Sequence, residues 1–122
     1  MLNENKVKFK KALAKVIADM RADVQDKLPE VGPADNALNF NLPIIGSDNF
    51  VAFLFDNSKD PHVGKYNVVI GVTCNGSNQL EAVHAVTGQT KAQITAFLAN
   101  ENLPNRLCDR LVMASDKLDA DK

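Results

Sequence analysis

What this chain lacks narrows its function before any motif is read. No stretch approaches the roughly 20 consecutive apolar residues of a membrane-spanning helix. The N-terminus carries lysines, but its apolar residues are spaced rather than consecutive, so no signal peptide with a continuous apolar core is expected. Only two cysteines occur in 122 residues, Cys74 and Cys108, far apart and in no motif. A disulfide framework is therefore not indicated, and a reducing, cytoplasmic setting is the expectation. Formal net charge is −1, too small a field to favour nucleic acid or anionic membranes. There is no glycine-rich phosphate loop, since Gly64, Gly71, Gly76 and Gly88 each stand alone. No paired-carboxylate spacing marks a general acid and base. No internal repeat, low-complexity tract or second domain interrupts the chain.

What remains fits one ordinary domain. Apolar residues make up 45% and charged residues 24%, close to a globular average, and 122 residues can bury a core without staples. The small net charge is unevenly spread. Residues 1–28 carry seven basic and four acidic groups, residues 29–88 two and six, and residues 89–122 five and five.

Residues 4–28 read as a helix. Asn3 suits its cap and Glu4 its first turn. Phe9, Leu13, Val16, Ile17, Met20, Val24 and Leu28 recur at three- and four-residue steps and form one apolar stripe. Lys6, Lys10, Lys11, Lys15 and Arg21 lie off it, and Pro29 ends the run. The stripe is expected to dock on the domain's own core. The lysine-bearing flank, with Lys10, Lys11 and Lys15, is the candidate partner-binding surface.

A loop at 29–36 leads to a half-buried strand in which Leu38, Phe40 and Leu42 alternate with Asn39 and Asn41. "PIIGSDN" turns the chain. "FVAFLF" (50–55) is apolar on both faces, which points to a central or helix-covered strand. "YNVVIGVTC" (66–74) is rich in β-branched residues, and Asn75-Gly76 signals a hairpin. Residues 79–87 admit two readings. As a strand after a three-residue loop at 75–77, Val72 pairs with Leu80, Ile70 with Ala82 and Val68 with His84, which gathers one apolar face. As a helix, Asn78 and Glu81 form a capping pattern and Gly88 ends it. The register favours the strand. Thr90 with Gln93 is a second capping pattern, opening a helix at about 91–99 with Ile94, Phe97 and Leu98 inward. Pro104 can start a last helix with Leu107, Leu111, Val112 and Leu118 on its buried face.

Two groups of residues bear on possible chemistry. In "FDNSKDPHVGKY", Asp56, Ser58 and Asp60 fall at the first, third and fifth positions of a calcium loop. Pro61 then stands where the glycine belongs, and Asn67 where the bidentate glutamate belongs. His62 with Asp56 and Asp60 offers an imidazole and two carboxylates for a transition metal or a small active site, at no diagnostic spacing. A solvated hairpin loop is the favoured reading. Cys74 and His84 share a face on the favoured register but lie several residue pairs apart, so Cys74 is read as a small buried hydrophobe and His84 as a core-edge histidine.

The segment "LEAVHAVTGQTKAQITAFLANE" resembles the helix-turn-helix of the LacI-type repressors. Leu80 and Val83 match apolar positions of the first helix and Gly88 the turn glycine. Thr90 matches the N-cap of the recognition helix, and Ile94 and Phe97 its buried positions. The resemblance implies a helical 80–86 and a DNA-contacting set of Thr90, Lys91, Gln93 and Thr95.

The expected fold is α+β. A long N-terminal helix precedes an antiparallel meander of three or four strands, and two C-terminal helices pack on one face of the sheet. The order also resembles that of small protein-binding accessory domains such as secretion chaperones. The expected function is a non-enzymatic protein-binding module: an inhibitor, an adaptor or chaperone-like accessory protein, or an oligomeric subunit. It is expected to work without cofactor or metal. Its partner is another protein or a second copy of itself, rather than a membrane or nucleic acid.

Overall fold

The computed structural model describes residues 3–28, 38–57, 65–74 and 79–120. Helix α1 (Asn3–Lys27) is followed by four strands, β1 (Leu38–Pro43), β2 (Asn49–Asn57), β3 (Lys65–Cys74) and β4 (Leu80–Thr90), and then by α2 (Lys91–Leu98) and α3 (Leu103–Ala120). The strands form one antiparallel sheet in sequence order, β1-β2-β3-β4. This is the expected α+β architecture with its fourth strand formed. Among the described residues, no helix is long and apolar enough to cross a membrane.

The helices cover one face of the sheet. Residues directly opposite one another on neighbouring strands share a face. Val51 pairs with Val72, Phe53 with Ile70 and Phe55 with Val68, so these six side chains form one surface, and all are buried. Onto it pack Phe9, Leu13, Ile17, Met20 and Val24 of α1, Ile94 and Leu98 of α2, and Leu107, Cys108, Leu111 and Leu118 of α3. The three- and four-residue spacing of the α1 stripe is therefore the seam of an internal core, and Leu28 is buried at its end. Val16, Phe97 and Val112 lie at the margin, half-buried.

Local sequence explains the connections. Between β1 and β2, the Ser47 N–H donates to the Ile44 carbonyl at 3.1 Å, and Gly46 takes φ +80 inside that turn, a left-handed conformation that glycine adopts without steric cost. Thr90 and Gln93 form the expected capping box: the Gln93 N–H donates to Thr90 Oγ1 at 3.1 Å, and the Thr90 N–H to Gln93 Oε1 at 2.8 Å. Pro104 occupies the first turn of α3, where its missing N–H costs nothing.

Asn49 ties the start of β2 to α3. It is buried, and its Nδ2 donates to Ser115 Oγ at 2.8 Å, to the Ser115 carbonyl at 3.3 Å and to Asp119 Oδ1 at 3.0 Å. Two of those partners only accept, which fixes the amide nitrogen on that side. Its Oδ1 is buried without a partner among the described residues.

Two sequence expectations are corrected. The first is the β3–β4 register. Thr73 opposes Leu80, Gly71 opposes Ala82, Ile70 opposes His84 and Val68 opposes Val86, with register shifts at Ile70/Gly71 and Tyr66/Val68. The expected pairs, Val72 with Leu80, Ile70 with Ala82 and Val68 with His84, do not form. The extra residue Val83 switches the inside–outside parity of β4, so His84 and Val86 sit with the core-facing residues while Leu80 and Ala82 turn to the other side. At the second shift Thr87 and Gly88 oppose Asn67, and Gly88 takes φ +66. That glycine serves a bulge, neither ending a helix nor turning between two.

The second correction concerns the helix-turn-helix. Residues 80–90 are strand, so the first helix implied by the LacI-type resemblance is not formed. His84 stands where that motif has a small residue, and Gln89 where it has an apolar one. Pairing with β3 instead uses the backbone groups a helix would have consumed.

Candidate functional site

Among the described residues, no helix packs on the second face of the sheet. Alternation along each strand places Asn39, Asn41 and Pro43 of β1 there. It adds Phe50, Ala52, Leu54 and Asp56 of β2, then Lys65, Asn67, Val69, Gly71 and Thr73 of β3. Across the strands these form rows: Asn39–Leu54–Val69–Ala85, Asn41–Ala52–Gly71–Ala82, and Pro43–Phe50–Thr73–Leu80. The middle row is built of small residues and the rows beside it carry larger apolar ones. Phe50, Leu54, Val69 and Leu80 belong to this face and lie outside the core cluster. Leu80 is 37% exposed.

Close backbone contact flattens the middle row. A Cβ at Gly71 would meet the Glu81 carbonyl oxygen at 2.7 Å and Leu80 Cδ1 at 2.9 Å. Glycine there lets the Leu80 side chain settle over β3. The rim is polar, with Asn39, Asn41, Asn67, Thr73 and Thr87, and it carries one charge of each sign, the exposed Asp56 and Lys65. An apolar centre inside a polar rim is the composition of a protein–protein contact.

The expected partner-binding lysines lie elsewhere. Lys10, Lys11 and Lys15 are exposed. Lys11 and Lys15 are one turn apart on the side of α1 turned away from the sheet, opposite Phe9, Leu13 and Ile17. Lys10 is nearer α3, where its charge joins Lys6 in holding the Asp109 carboxyl below the usual carboxylate range; the dominant cause is the Lys6–Asp109 contact at 2.6 Å. The lysine flank and the uncovered sheet face thus look in opposite directions.

The four residues of the DNA-contacting set are engaged within the chain. Thr90 and Gln93 cap α2, Thr95 Oγ1 donates to the Lys91 carbonyl at 2.9 Å, and Lys91 Nζ donates to the Gln25 carbonyl at 2.7 Å. Asp56 lies exposed near the end of β2, while Asp60 and His62 fall outside the described residues. Among the described residues no three His, Cys, Asp or Glu side chains gather as metal ligands.

Cys74 and His84 do not meet. His84 opposes Ile70, four residues along β3 from Cys74, which is about 13 Å at ~3.3 Å per residue. Cys74 is half-buried rather than buried; Cys108 is the buried thiol. His84 stacks on Phe97 with ring centroids 4.6 Å apart. Desolvation, then the charges of Arg110 and Arg106, lower its pKa below the ordinary 6.5.

Sequence reading missed the uncovered face, although "FVAFLF" carried its signal. A strand apolar on both sides needs two covers, and the helices supply one. No protein-family model, curated protein or solved structure matches the chain.

Proposed function

We propose that this protein is a non-enzymatic protein-binding module whose docking surface is the uncovered face of its sheet. The observation that supports this reading is the apolar second face of β2 and β3, where Phe50, Leu54 and Val69 lie outside the core around the buried Ala52. The composition of the face indicates what kind of protein docks. The rim sets the exposed Asp56 against the exposed Lys65, so its charges balance and the apolar centre carries the recognition. The complementary partner is a protein with an apolar patch bordered by polar side chains and by charges of both signs. Lys11 and Lys15, exposed on the far side of α1 and without an ion pair among the described residues, offer a second contact to an acidic surface.

Leu54→Asp combined with Val69→Asp tests this reading. Both positions lie outside the core, so the chain should still fold. With wild type and variant used side by side as bait in the native cell, one protein should be retained by wild type and lost by the variant. Reversing Lys10, Lys11 and Lys15 to glutamate should leave that protein bound. Retention of the same protein by both baits would rule out the sheet face.

A further inference from the structure

The two edges of the sheet are built differently. β4 carries two bulges, and Arg110 of α3 donates to the carbonyl oxygen of Val83, the bulged residue. Lys117 of α3 also bonds Glu81 on the same strand at 3.0 Å. Bulges and long cations are among the means by which sheet edges resist further strands. β1 has neither. Its register with β2 is unbroken, and "LNFNLP" contains no charge.

The direction of the free groups on β1 follows from one hydrogen bond. The Ile44 N–H donates to the Asn49 carbonyl at 3.1 Å, continuing the β1–β2 register by one pair. Antiparallel ladders alternate hydrogen-bonded and non-hydrogen-bonded pairs. Leu42, Phe40 and Leu38 therefore turn their N–H and C=O groups to β2, and those of Asn39 and Asn41 point outward. Pro43 follows the outward set, where its missing N–H removes no ladder bond and stops the edge from extending. Among the described residues nothing hydrogen-bonds the outward groups of Asn39 and Asn41.

The sequence of this edge is a palindrome, Leu38-Asn39-Phe40-Asn41-Leu42. We propose that β1 pairs antiparallel with β1 of a second copy across a two-fold axis at Phe40, joining two sheets into one. Asn39 of each copy then exchanges N–H···O=C bonds with Asn41 of the other, and the two-fold axis repeats the exchange. Phe40 meets its symmetry mate as the close, non-hydrogen-bonded pair. Leu38 meets Leu42 on the helix side, where all three are only half-buried in one chain. Any antiparallel strand could satisfy the backbone; the palindrome also sets like against like on both faces, and that selects a second copy. This pairing uses the edge and leaves the open face free, so it stands apart from the docking reading.

Sedimentation equilibrium on the full chain tests the pairing. Wild type should approach twice 13.3 kDa as concentration rises. Asn39→Lys with Asn41→Lys sets lysine against lysine in both exchanged pairs and should raise the dimer dissociation constant by at least about tenfold. Asn39→Lys with Asn41→Asp sets lysine against aspartate and should restore the dimer. Asn41→Pro removes an outward N–H that the chain does not use internally and should weaken it again. The substituted side chains are exposed, so circular dichroism should remain that of the folded chain. A mass of 13.3 kDa at every concentration overturns the proposal. So does a dimer indifferent to the double-lysine change, or one abolished instead by Leu54→Asp on the open face.

Discussion

Arg110 reaches from α3 to the carbonyl oxygen of Val83, the residue that the bulge in β4 leaves without a ladder partner. The bulge switches the parity of the strand, and the guanidinium satisfies the acceptor it exposes. Because Arg110 is exposed, Arg110→Ala should cost only about 0.5–1.5 kcal/mol. The more specific effect is local: amide exchange in β4 around Val83 should accelerate beyond the global loss of stability. Hydrogen exchange read by mass spectrometry distinguishes the two, and uniform acceleration would contradict a local role.

Asn49 offers a test of amide orientation. Its Nδ2 faces the Ser115 carbonyl and Asp119 Oδ1. Asn49→Ala removes those bonds and should cost about 1–3 kcal/mol in urea unfolding. Asn49→Asp puts a carboxylate where only a donor fits, so it should cost more than alanine at neutral pH. The gap should narrow in acid as the new carboxyl is protonated. Equal costs for the two variants would mean that the amide nitrogen is not what α3 recognises.

His84 predicts a pH dependence. Its folded pKa lies below the unfolded value of 6.5, chiefly through desolvation and then through Arg110 and Arg106. The unfolded chain therefore takes up the proton first. The contribution is complete above pH 6.5 and is lost as pH falls from there through the folded pKa. Thermal melts of wild type and His84→Gln should diverge above that window and converge below it. A wild type that gains stability relative to His84→Gln on acidification would reverse the sign and refute the assignment.

The α1 stripe should behave as core. Leu13 is fully buried, so Leu13→Ala should cost about 2–5 kcal/mol. Reversing Lys10, Lys11 and Lys15 together should shift the melting temperature by only a few degrees, since all three are exposed. A large loss on charge reversal would show that the flank is structural.

The legible parts of this fold were those governed by a single periodicity. Phe9 to Leu28 repeat on the helical period, Leu38 to Leu42 alternate, and Thr90 and Gln93 sit at a capping spacing. Each of these local patterns leaves one arrangement much cheaper than its rivals. The β3–β4 register was not legible, because a bulge costs one residue and leaves no unique mark. Placing Leu80 and Ala82 inward satisfied the hydrophobic pattern equally well until Val83 was set aside as the extra residue. The same ambiguity made 80–86 resemble a helix. The docking face was half legible: "FVAFLF" showed that β2 is apolar twice over, but not that the helices would share one side. The lysines of α1 are legible because charge is visible in sequence, whereas an uncovered face is a property of topology.

The most direct measurement is a photo-crosslinking map in the native cell. A photoreactive residue at the exposed Ala85, in the row with Leu54 and Val69, should give one discrete adduct, and that adduct should vanish when Leu54→Asp is added. The same probe at Ala18, exposed on α1, should not report the contact. An adduct at Ala85 that survives Leu54→Asp, or one formed from Ala18 alone, would contradict the assignment of the uncovered sheet face as the docking surface.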